Sequence, residues 1–258
     1  MCLILFAIDS HPRYPLLIAA NRDEYYARAT RPMKPWPEAP QLLAGRDLEA
    51  GGTWLGLTRS GRFAAVTNVR EDPTRPAWQH SRGELTSGFL LGAMSAADYA
   101  RQARARGEHY AGFNLLVGDA DGFYYCSNRN GAGPRRLGAG IYGLSNDTLD
   151  TAWPKVETGK AELRDLLRAE PDAPALLALL TDTERAVDAQ LPDTGIGLDR
   201  ERLLSSRFIA SDLYGTRAST AILIDARGAA TVWEQNFDSG GEPAGLERFQ
   251  WQLEHIPH

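Results

Sequence analysis

The chain opens with Met1-Cys2-Leu3-Ile4-Leu5-Phe6-Ala7-Ile8, and a second apolar run follows at Leu16-Leu17-Ile18-Ala19-Ala20. Each run has the length of a β-strand, and the segment between them, 9–14, is rich in residues that favour turns. The two runs are therefore predicted to pair as a hairpin. In such a hairpin the end of the second strand returns beside the start of the first.

Four polar residues close the second run, Asn21-Arg22-Asp23-Glu24. Hairpin pairing is expected to bring Cys2 close to Arg22 and Asp23. Once the initiator Met1 is removed, Cys2 carries a free α-amine that can take the proton of its own thiol, and a nearby cation favours the thiolate. Cys2 is thus a candidate nucleophile, with Arg22 lowering the thiol pKa and Asp23 holding the amine. The alternative is that Cys2 is a small buried apolar residue at the head of a strand.

The composition sets limits on the class of protein. The 258 residues suffice for one large domain, and no Pro- or Ser-rich linker divides them, so a single domain over 1–258 is expected. A net charge of -5 argues against a nucleic-acid partner. Cys2 and Cys126 lack metal-like spacing, so neither a disulfide framework nor a metal site is expected. We expect a cytoplasmic protein with no integral membrane segment, because no run approaches the ~20 apolar residues of a membrane helix.

Further strand-like runs predict antiparallel hairpins early and late in the chain, with helices between them. Strands are expected at 51–58, 62–68, 112–118, 122–128, 141–145, 221–225 and 230–235, and helices at 81–91, 95–106, 153–169 and 175–180. Several runs, such as 115–117, are apolar without alternation, which is typical of strands buried on both faces. The expected fold class is α+β, a four-layer α-β-β-α sandwich of two antiparallel sheets.

Two segments are expected to be irregular. Four prolines within 31–40 disfavour a helix or a central strand, which predicts an extended surface loop anchored by Trp36. Segment 182–199 contains Asp, Gly and Pro and predicts a second loop, long enough to be functional. Whether that loop covers a cleft stays open at this point.

Short motifs run in order along nearly the whole chain. Besides the Met-Cys start and the 21–24 tetrad, they are Gly52-Thr53-Trp54-Leu55-Gly56, Gly143-Leu144-Ser145-Asn146, Leu149-Asp150-Thr151-Ala152-Trp153-Pro154-Lys155 and Tyr214-Gly215-Thr216-Arg217-Ala218-Ser219-Thr220. Together they resemble the NRDE family, also called the transport-and-Golgi-organisation family. A more distant resemblance is to the choloylglycine-hydrolase and penicillin-acylase branch of the N-terminal nucleophile hydrolases. That branch has an α-β-β-α fold and cleaves amides with a terminal cysteine.

The resemblance implies roles for individual side chains. Cys2, Arg22 and Asp23 look like the nucleophile, arginine and aspartate of that branch. Asn146 resembles its oxyanion donor, and Arg207, in the segment 205–208, resembles an arginine near the nucleophile. The remaining positions, expected to bind substrate, are Asn21, Glu24, Asn68 and Arg217, the last also a rival of Arg207.

The function implied by the resemblance is that of a cysteine amidohydrolase or acyl-transfer enzyme for a small amide, ester or thioester, with no cofactor required. Family links to haem movement and to acyl-CoA or lipid metabolism leave a second class open: a non-catalytic haem-handling or acyl-CoA-binding protein, with haem as a ligand and His109 or Cys2 as axial ligand. In a third class, Cys2 and the tetrad form only a buried hydrogen-bonded cluster. The expected partner is a small molecule, and its identity and the oligomeric state stay open.

Overall fold

Two antiparallel sheets, stacked face to face with helices on both outer sides, form a four-layer α-β-β-α sandwich. The structure, a computed structural model, describes residues 2–71, 78–129 and 131–257, and only the backbone of Cys2. The strands in these ranges are β1 (Cys2–Ile8), β2 (Leu16–Tyr25), β3 (Thr30–Trp36), β4 (Ala39–Asp47), β5 (Leu55–Thr58), β6 (Phe63–Asn68), β7 (Phe113–Asp119), β8 (Gly122–Ser127), β9 (Arg135–Leu137), β10 (Gly140–Leu144), β11 (Tyr214–Ile224), β12 (Ala229–Phe237) and β13 (Pro243–Gln252). The helices are α1 (Arg82–Leu91), α2 (Ala96–Ala105), α3 (Pro154–Leu166), α4 (Ala173–Leu179) and α5 (Leu198–Leu203).

The two sheets are connected in different ways. Sheet B has the order β3-β4-β5-β6-β7-β8-β9, so each strand pairs with its neighbour along the chain. Sheet A has the order β10-β1-β2-β11-β12-β13, which sets the early hairpin β1–β2 between β10 and the late strand β11. Because β2 continues to Tyr25, the 21–24 tetrad lies inside a central strand rather than beyond its end.

Both faces of sheet A are buried. In β1, the even-numbered residues from Ile4 to Ile8 pack between the two sheets, and the odd-numbered residues from Leu3 to Ala7 pack on the side of α3 and α4. Helices α1 and α2 cover the outer face of sheet B in the same way. Each fully buried Leu, Ile or Phe contributes about 1.5–3 kcal/mol, so these apolar runs hold β1 firmly in the centre. The two-faced burial predicted from the lack of alternation is confirmed.

Helices α1 and α2 begin at side-chain caps. Ser81 Oγ accepts a hydrogen bond from Gly83 N at 3.3 Å at the start of α1. Ser95 Oγ accepts from Asp98 N at 3.1 Å at the start of α2 and donates to its carboxylate at 2.8 Å. Such caps satisfy N–H groups that have no partner within the helix. No helix in the described ranges combines the length and apolar character that a membrane crossing requires.

Two edge strands differ from expectation. The Pro-rich segment 31–40 was predicted to be a loop, but it forms β3 at the edge of sheet B and the beginning of β4. An edge strand tolerates proline because its outer N–H groups need no partner. Trp36 is buried, as its anchoring role predicts, and donates from Nε1 to Ala44 O at 3.2 Å. Strand β13 was missed because its residues are mostly exposed and show no apolar alternation.

Candidate functional site

The site begins at the end of the β1–β2 hairpin. Cys2 pairs directly with Arg22 in the register of the two strands, as the hairpin predicts. On the other side of β2, Asp23 pairs with Thr216 of β11, and the register shifts between Thr216 and Ala218. Because successive residues of a strand point to opposite faces, Arg22 lies on the face towards sheet B and Asp23 on the face towards the helices.

Arg22 is buried against Trp54, the tryptophan of the 52–56 motif. Its guanidinium carbon lies 4.2 Å from the centroid of the indole ring, and Glu24 Oε2 lies 3.9 Å from Nη2. A cation held in this way over an indole gains about 0.5–2 kcal/mol. Arg22, Trp54 and Val66 help to enclose a cavity of about 10 Å³, which has room for about one water molecule. A larger ligand at this face requires Trp54 to move.

Asp23 is buried on the helix side of sheet A. Thr216 Oγ1 donates to its carboxylate at 2.8 Å, and Tyr214 Oη donates to its backbone carbonyl at 2.9 Å. Burial raises the pKa of Asp23, against the positive charge of Lys155 and the bond from Thr216, which lower it. Lys155 is itself buried and donates from Nζ to Leu204 O at 2.9 Å. The site therefore holds a buried carboxyl group and a buried amine.

Asn146 joins the two sheets at this end of the molecule. It follows β10, and its Nδ2 donates to the backbone carbonyl of Asn68, at the end of β6, at 3.1 Å. Its Oδ1 accepts from Ser145 Oγ at 3.3 Å, and its backbone carbonyl accepts from Arg70 N at 2.6 Å. An amide nitrogen carries two hydrogens, so the bond to Asn68 leaves one for a ligand. Asn68 contributes a main-chain acceptor, and its side chain is half-buried.

Asn21 and Arg207 are occupied by structural contacts. Asn21 Nδ2 donates to the carbonyls of Leu180 at 3.0 Å and Arg207 at 2.8 Å. The Arg207 guanidinium binds the carboxylates of Glu162 and Asp182 through four hydrogen bonds of 2.7–3.1 Å. These bonds fasten the connection before β11 to α3 and to the end of α4. In this structure both side chains are therefore held by protein groups, and the roles predicted for Arg207 at the nucleophile and for Asn21 at a substrate stay predictions.

Glu24, in β2, and Arg217, in β11, lie beside the turn that follows β2. Glu24 is half-buried, 3.9 Å from the nitrogens of both Arg22 and Arg28. Arg217 Nη1 donates to the carbonyls of Tyr25, Tyr26 and Arg28 at 3.0–3.2 Å. Arg217 therefore holds the 25–28 turn, whereas Glu24 extends the charged group around Arg22.

The two candidate axial ligands for haem lie in different layers. His109 is on the outer side of sheet B, where its ring lies 6.1 Å from that of His80. His80 Nδ1 is 3.0 Å from Glu84 Oε1, and its ring packs on Tyr110. Cys2 is in sheet A, so His109 and Cys2 belong to separate places in the fold.

Comparison with known proteins agrees with this arrangement. A family model described as Transport and Golgi organisation 2 matches residues 1–239. The chain belongs to this family. The Transport and Golgi organization protein 2 homolog of Bos taurus is 38% identical over 96% of each chain, and that of Homo sapiens is 36% identical over 92% of this chain and 93% of the relative. A solved Caenorhabditis elegans N-acylethanolamine-hydrolyzing acid amidase ortholog aligns with a TM-score of 0.51 at 10% identity, over 86% of this chain and 92% of that chain. At this identity the likeness concerns the fold, which is the sandwich of N-terminal nucleophile hydrolases.

The motifs of this Transport and Golgi organisation 2 family member meet in space. The separate motifs supply Trp54, Asn146, Lys155 and Thr216 to one end of sheet A. Lys155 was quoted in the sequence but assigned no role, and its place beside a proline at a helix start gave the only signal. Arg70 was missed, because nothing in the polar segment after β6 distinguishes it from a surface arginine.

Proposed function

We propose that this protein is a cysteine amidohydrolase or acyl-transfer enzyme with Cys2 as N-terminal nucleophile, acting on a small amide, ester or thioester. The observation that carries the proposal is the β1–β2 register, which sets Cys2 across from Arg22 and next to buried Asp23 in a hydrolase-like sandwich. The proposal requires a free α-amine on Cys2, whose ordinary pKa of about 7.7–8 suits proton transfer at neutral pH.

The first step is attack on the acyl carbon. The α-amine of Cys2 takes the thiol proton, and the positive charge of Arg22 favours the resulting thiolate. The sulfur forms a bond to the carbonyl carbon as the π electrons move to oxygen. The remaining hydrogen of Asn146 Nδ2 is a donor for that oxyanion, and one such donor is worth about 2.7–4 kcal/mol.

The second step is loss of the leaving group. As the carbonyl re-forms, the bond to nitrogen breaks, and the α-ammonium returns its proton to the departing amine. Asp23, whose pKa burial raises and the charge of Lys155 lowers, accepts a hydrogen bond from the ammonium and orients it. Water then cleaves the thioester and restores the thiol. The proposed reaction assigns no step to Asn21, Arg207 or Arg217. Their side chains bond to the protein through Asn21 Nδ2, through Nε, Nη1 and Nη2 of Arg207, and through Arg217 Nη1.

Intact mass of the purified chain, before and after brief iodoacetamide treatment at pH 7, tests the proposal. We expect Met1 to be absent and a single adduct to form at Cys2, about 5–10-fold faster than on glutathione, because a lowered pKa raises the thiolate fraction. Burial raises the pKa of Cys126 to about 12, so that thiol labels slowly. Cys126→Ser should therefore label like the wild type, and Cys2→Ala should not label.

A retained Met1, or a Cys2 that reacts no faster than glutathione, would contradict the self-activated mechanism. If Cys2 is labelled rapidly, p-nitroanilides and thioesters are then screened as substrates. In that screen Asn146→Ala should lower kcat by about 10²–10³-fold and should change the labelling rate of Cys2 little. The alternative function, haem handling, predicts instead a Soret shift with haemin that survives in Cys2→Ala or disappears in His109→Ala.

A further inference from the structure

Arg70 is a buried arginine beside the candidate site. It follows β6, and its side chain is only 2% exposed. Its Nη1 donates to the Glu201 carboxylate, and its guanidinium lies 4.4 Å from the centroid of the Trp153 ring. Its backbone N–H holds the carbonyl of Asn146, the proposed oxyanion donor, at 2.6 Å. Arg70 thus contacts the site through its own main chain.

One edge of this guanidinium makes no hydrogen bond to any residue that the structure describes. Neither Nε nor Nη2 has a hydrogen-bond partner within the described ranges, although both atoms are buried. These two groups form the side-on edge of arginine, whose parallel N–H bonds match the two oxygens of a carboxylate. Buried charged donors without partners are costly and rare, so an empty edge of this shape calls for an explanation.

The surroundings of Arg70 connect it to the reactive end of sheet A. The charges that act on it are those of Glu201, Tyr214 and Asp147, and burial lowers its pKa. Tyr214 Oη is also the group that bonds to Asp23 O at 2.9 Å. A ligand seated on Arg70 therefore lies near the residues that surround Cys2 in the strand register.

Glu201 shows that a carboxylate fits on this arginine. It belongs to α5, next to the segment 182–199 whose role the sequence left open. Thr194 donates to Glu201 Oε1 from its backbone N at 3.0 Å and from Oγ1 at 2.5 Å, which fixes the carboxylate in place. Glu201 neutralises Arg70 from one side and leaves the Nε–Nη2 edge open.

We propose that Arg70 binds a carboxylate of the ligand through its Nε–Nη2 edge, with the Glu201 carboxylate as an internal competitor for its charge. The ligand class that Arg70 selects is accordingly a carboxylate, and an acyl portion of the ligand is placed by the proposed function. The inference rests on the proposed function for the position of the acyl group alone, since binding at Arg70 needs no reaction at Cys2.

Octanoate binding, measured by calorimetry in a Cys2→Ala background, tests this inference. Arg70→Lys keeps the charge beside Glu201 but lacks the side-on edge, so we expect binding to weaken by about tenfold or more. Glu201→Gln keeps the acceptor for Thr194 and removes the competing charge, so we expect binding to tighten by about fivefold. Thermal unfolding of each variant verifies that it is folded.

Arg62→Lys is the matched control. Arg62 also lies over an aromatic ring, that of Phe89, but its Nε and Nη2 already donate to Phe89 O at 3.2 and 3.0 Å. It should therefore leave octanoate binding unchanged. The inference would be overturned if Arg62→Lys weakened octanoate binding as much as Arg70→Lys, or if Glu201→Gln left octanoate binding unchanged. It would also be overturned if octan-1-ol bound as tightly as octanoate, or if octyl phosphate bound as tightly or more tightly.

The outcomes separate this inference from the proposed function. If Cys2 of the wild type is labelled rapidly but Arg70→Lys leaves octanoate binding unchanged, the carboxylate site is rejected and the proposed nucleophile is retained. Octanoate binding that depends on Arg70, combined with a slow Cys2, would keep the site and reject the enzyme.

Discussion

Arg207 and Arg70 are both buried, but their partners are not alike. Arg207 binds Glu162 and Asp182, whose side chains are 52% and 33% exposed, through Nε, Nη1 and Nη2. Arg70 binds Glu201, which is 3% exposed, and the Nε–Nη2 edge of its guanidinium has no hydrogen-bond partner among the residues that the structure describes. Water can reach the partners of Arg207 when that arginine is lost, but it cannot reach Glu201. The two arginines therefore differ mainly in the exposure of their partner carboxylates. Arg207, with exposed partners, has a structural role, whereas Arg70, with a buried partner, is a candidate binding residue.

The largest effect is expected at Arg70. Arg70→Met leaves the Glu201 carboxylate buried without its cation, and we expect the free energy of unfolding to fall by about 3–5 kcal/mol. Adding Glu201→Gln removes that charge, so the double variant should regain about 2 kcal/mol or more. Urea denaturation measures both, and a loss below about 1 kcal/mol in the single variant would remove the contrast with Arg207.

A smaller effect is expected at Arg207. Arg207→Met breaks bonds to two carboxylates that can rehydrate, so we expect a loss of about 2–3 kcal/mol. The matched control is Arg202→Met, because Arg202 also binds two carboxylates, Asp188 and Asp199, but at the surface. That variant should lose little stability, because exposed ion pairs contribute little. Equal losses in the two variants would mean that burial of the cation adds nothing.

Buried carboxyls extend the comparison to pH. Glu234 is fully buried and accepts a hydrogen bond from Met33 N at 2.6 Å, and burial raises its pKa from 4.5 to about 7. Between these values the folded state holds a proton that the unfolded state has released, so stability falls as pH rises through this window. Glu234→Gln should remove about 1–2 kcal/mol of that decline, measured by unfolding at pH 5 and pH 8. A wild-type decline that persists in the variant would contradict the assignment.

The pH dependence of stability that Asp182 contributes has the opposite sign to that of Glu234. Burial raises its pKa, but hydrogen bonds from Glu184 N and Arg207 outweigh burial and hold the pKa below its ordinary value of 3.8. Its stabilising contribution is therefore present above that pH and is lost as the pH falls through the lower, folded value. The Glu234 experiment is thus free of interference from Asp182, because the two groups titrate in separate ranges.

The sequence predicted the elements whose signals are local. The apolar runs and the turn between them sufficed for the hairpin, and the uninterrupted apolar strands sufficed for two stacked sheets. Proline was misleading at Pro32 and Pro35, because its meaning depends on whether a strand lies at an edge, which is a property of the whole sheet. Strand β13 also lies at a sheet edge, and its mostly exposed residues show no apolar alternation.

The candidate site was predictable only in part. The pairing of Cys2 with Arg22 follows from the hairpin, whereas the burial of Lys155 depends on Leu204, far away in the chain. The segment around Arg207 resembled a catalytic one, but its partners come from α3 and from the end of α4, and no local pattern announces them. A side chain that is assigned a catalytic role from a motif alone can therefore form ion pairs with carboxylates that are distant in the sequence.

The strand order of sheet A also determines when, during synthesis on the ribosome, its strands can pair. Sheet B joins strands that are consecutive in the chain, so its pairing is complete once β9 has been made. Strand β2 acquires its second neighbour only with β11, and Asp23 meets Thr216 only then. At about 5–20 residues per second, the ribosome needs roughly 10–45 s to reach that strand. Until β11 is made, the apolar hairpin β1–β2 lacks the strand that later borders β2.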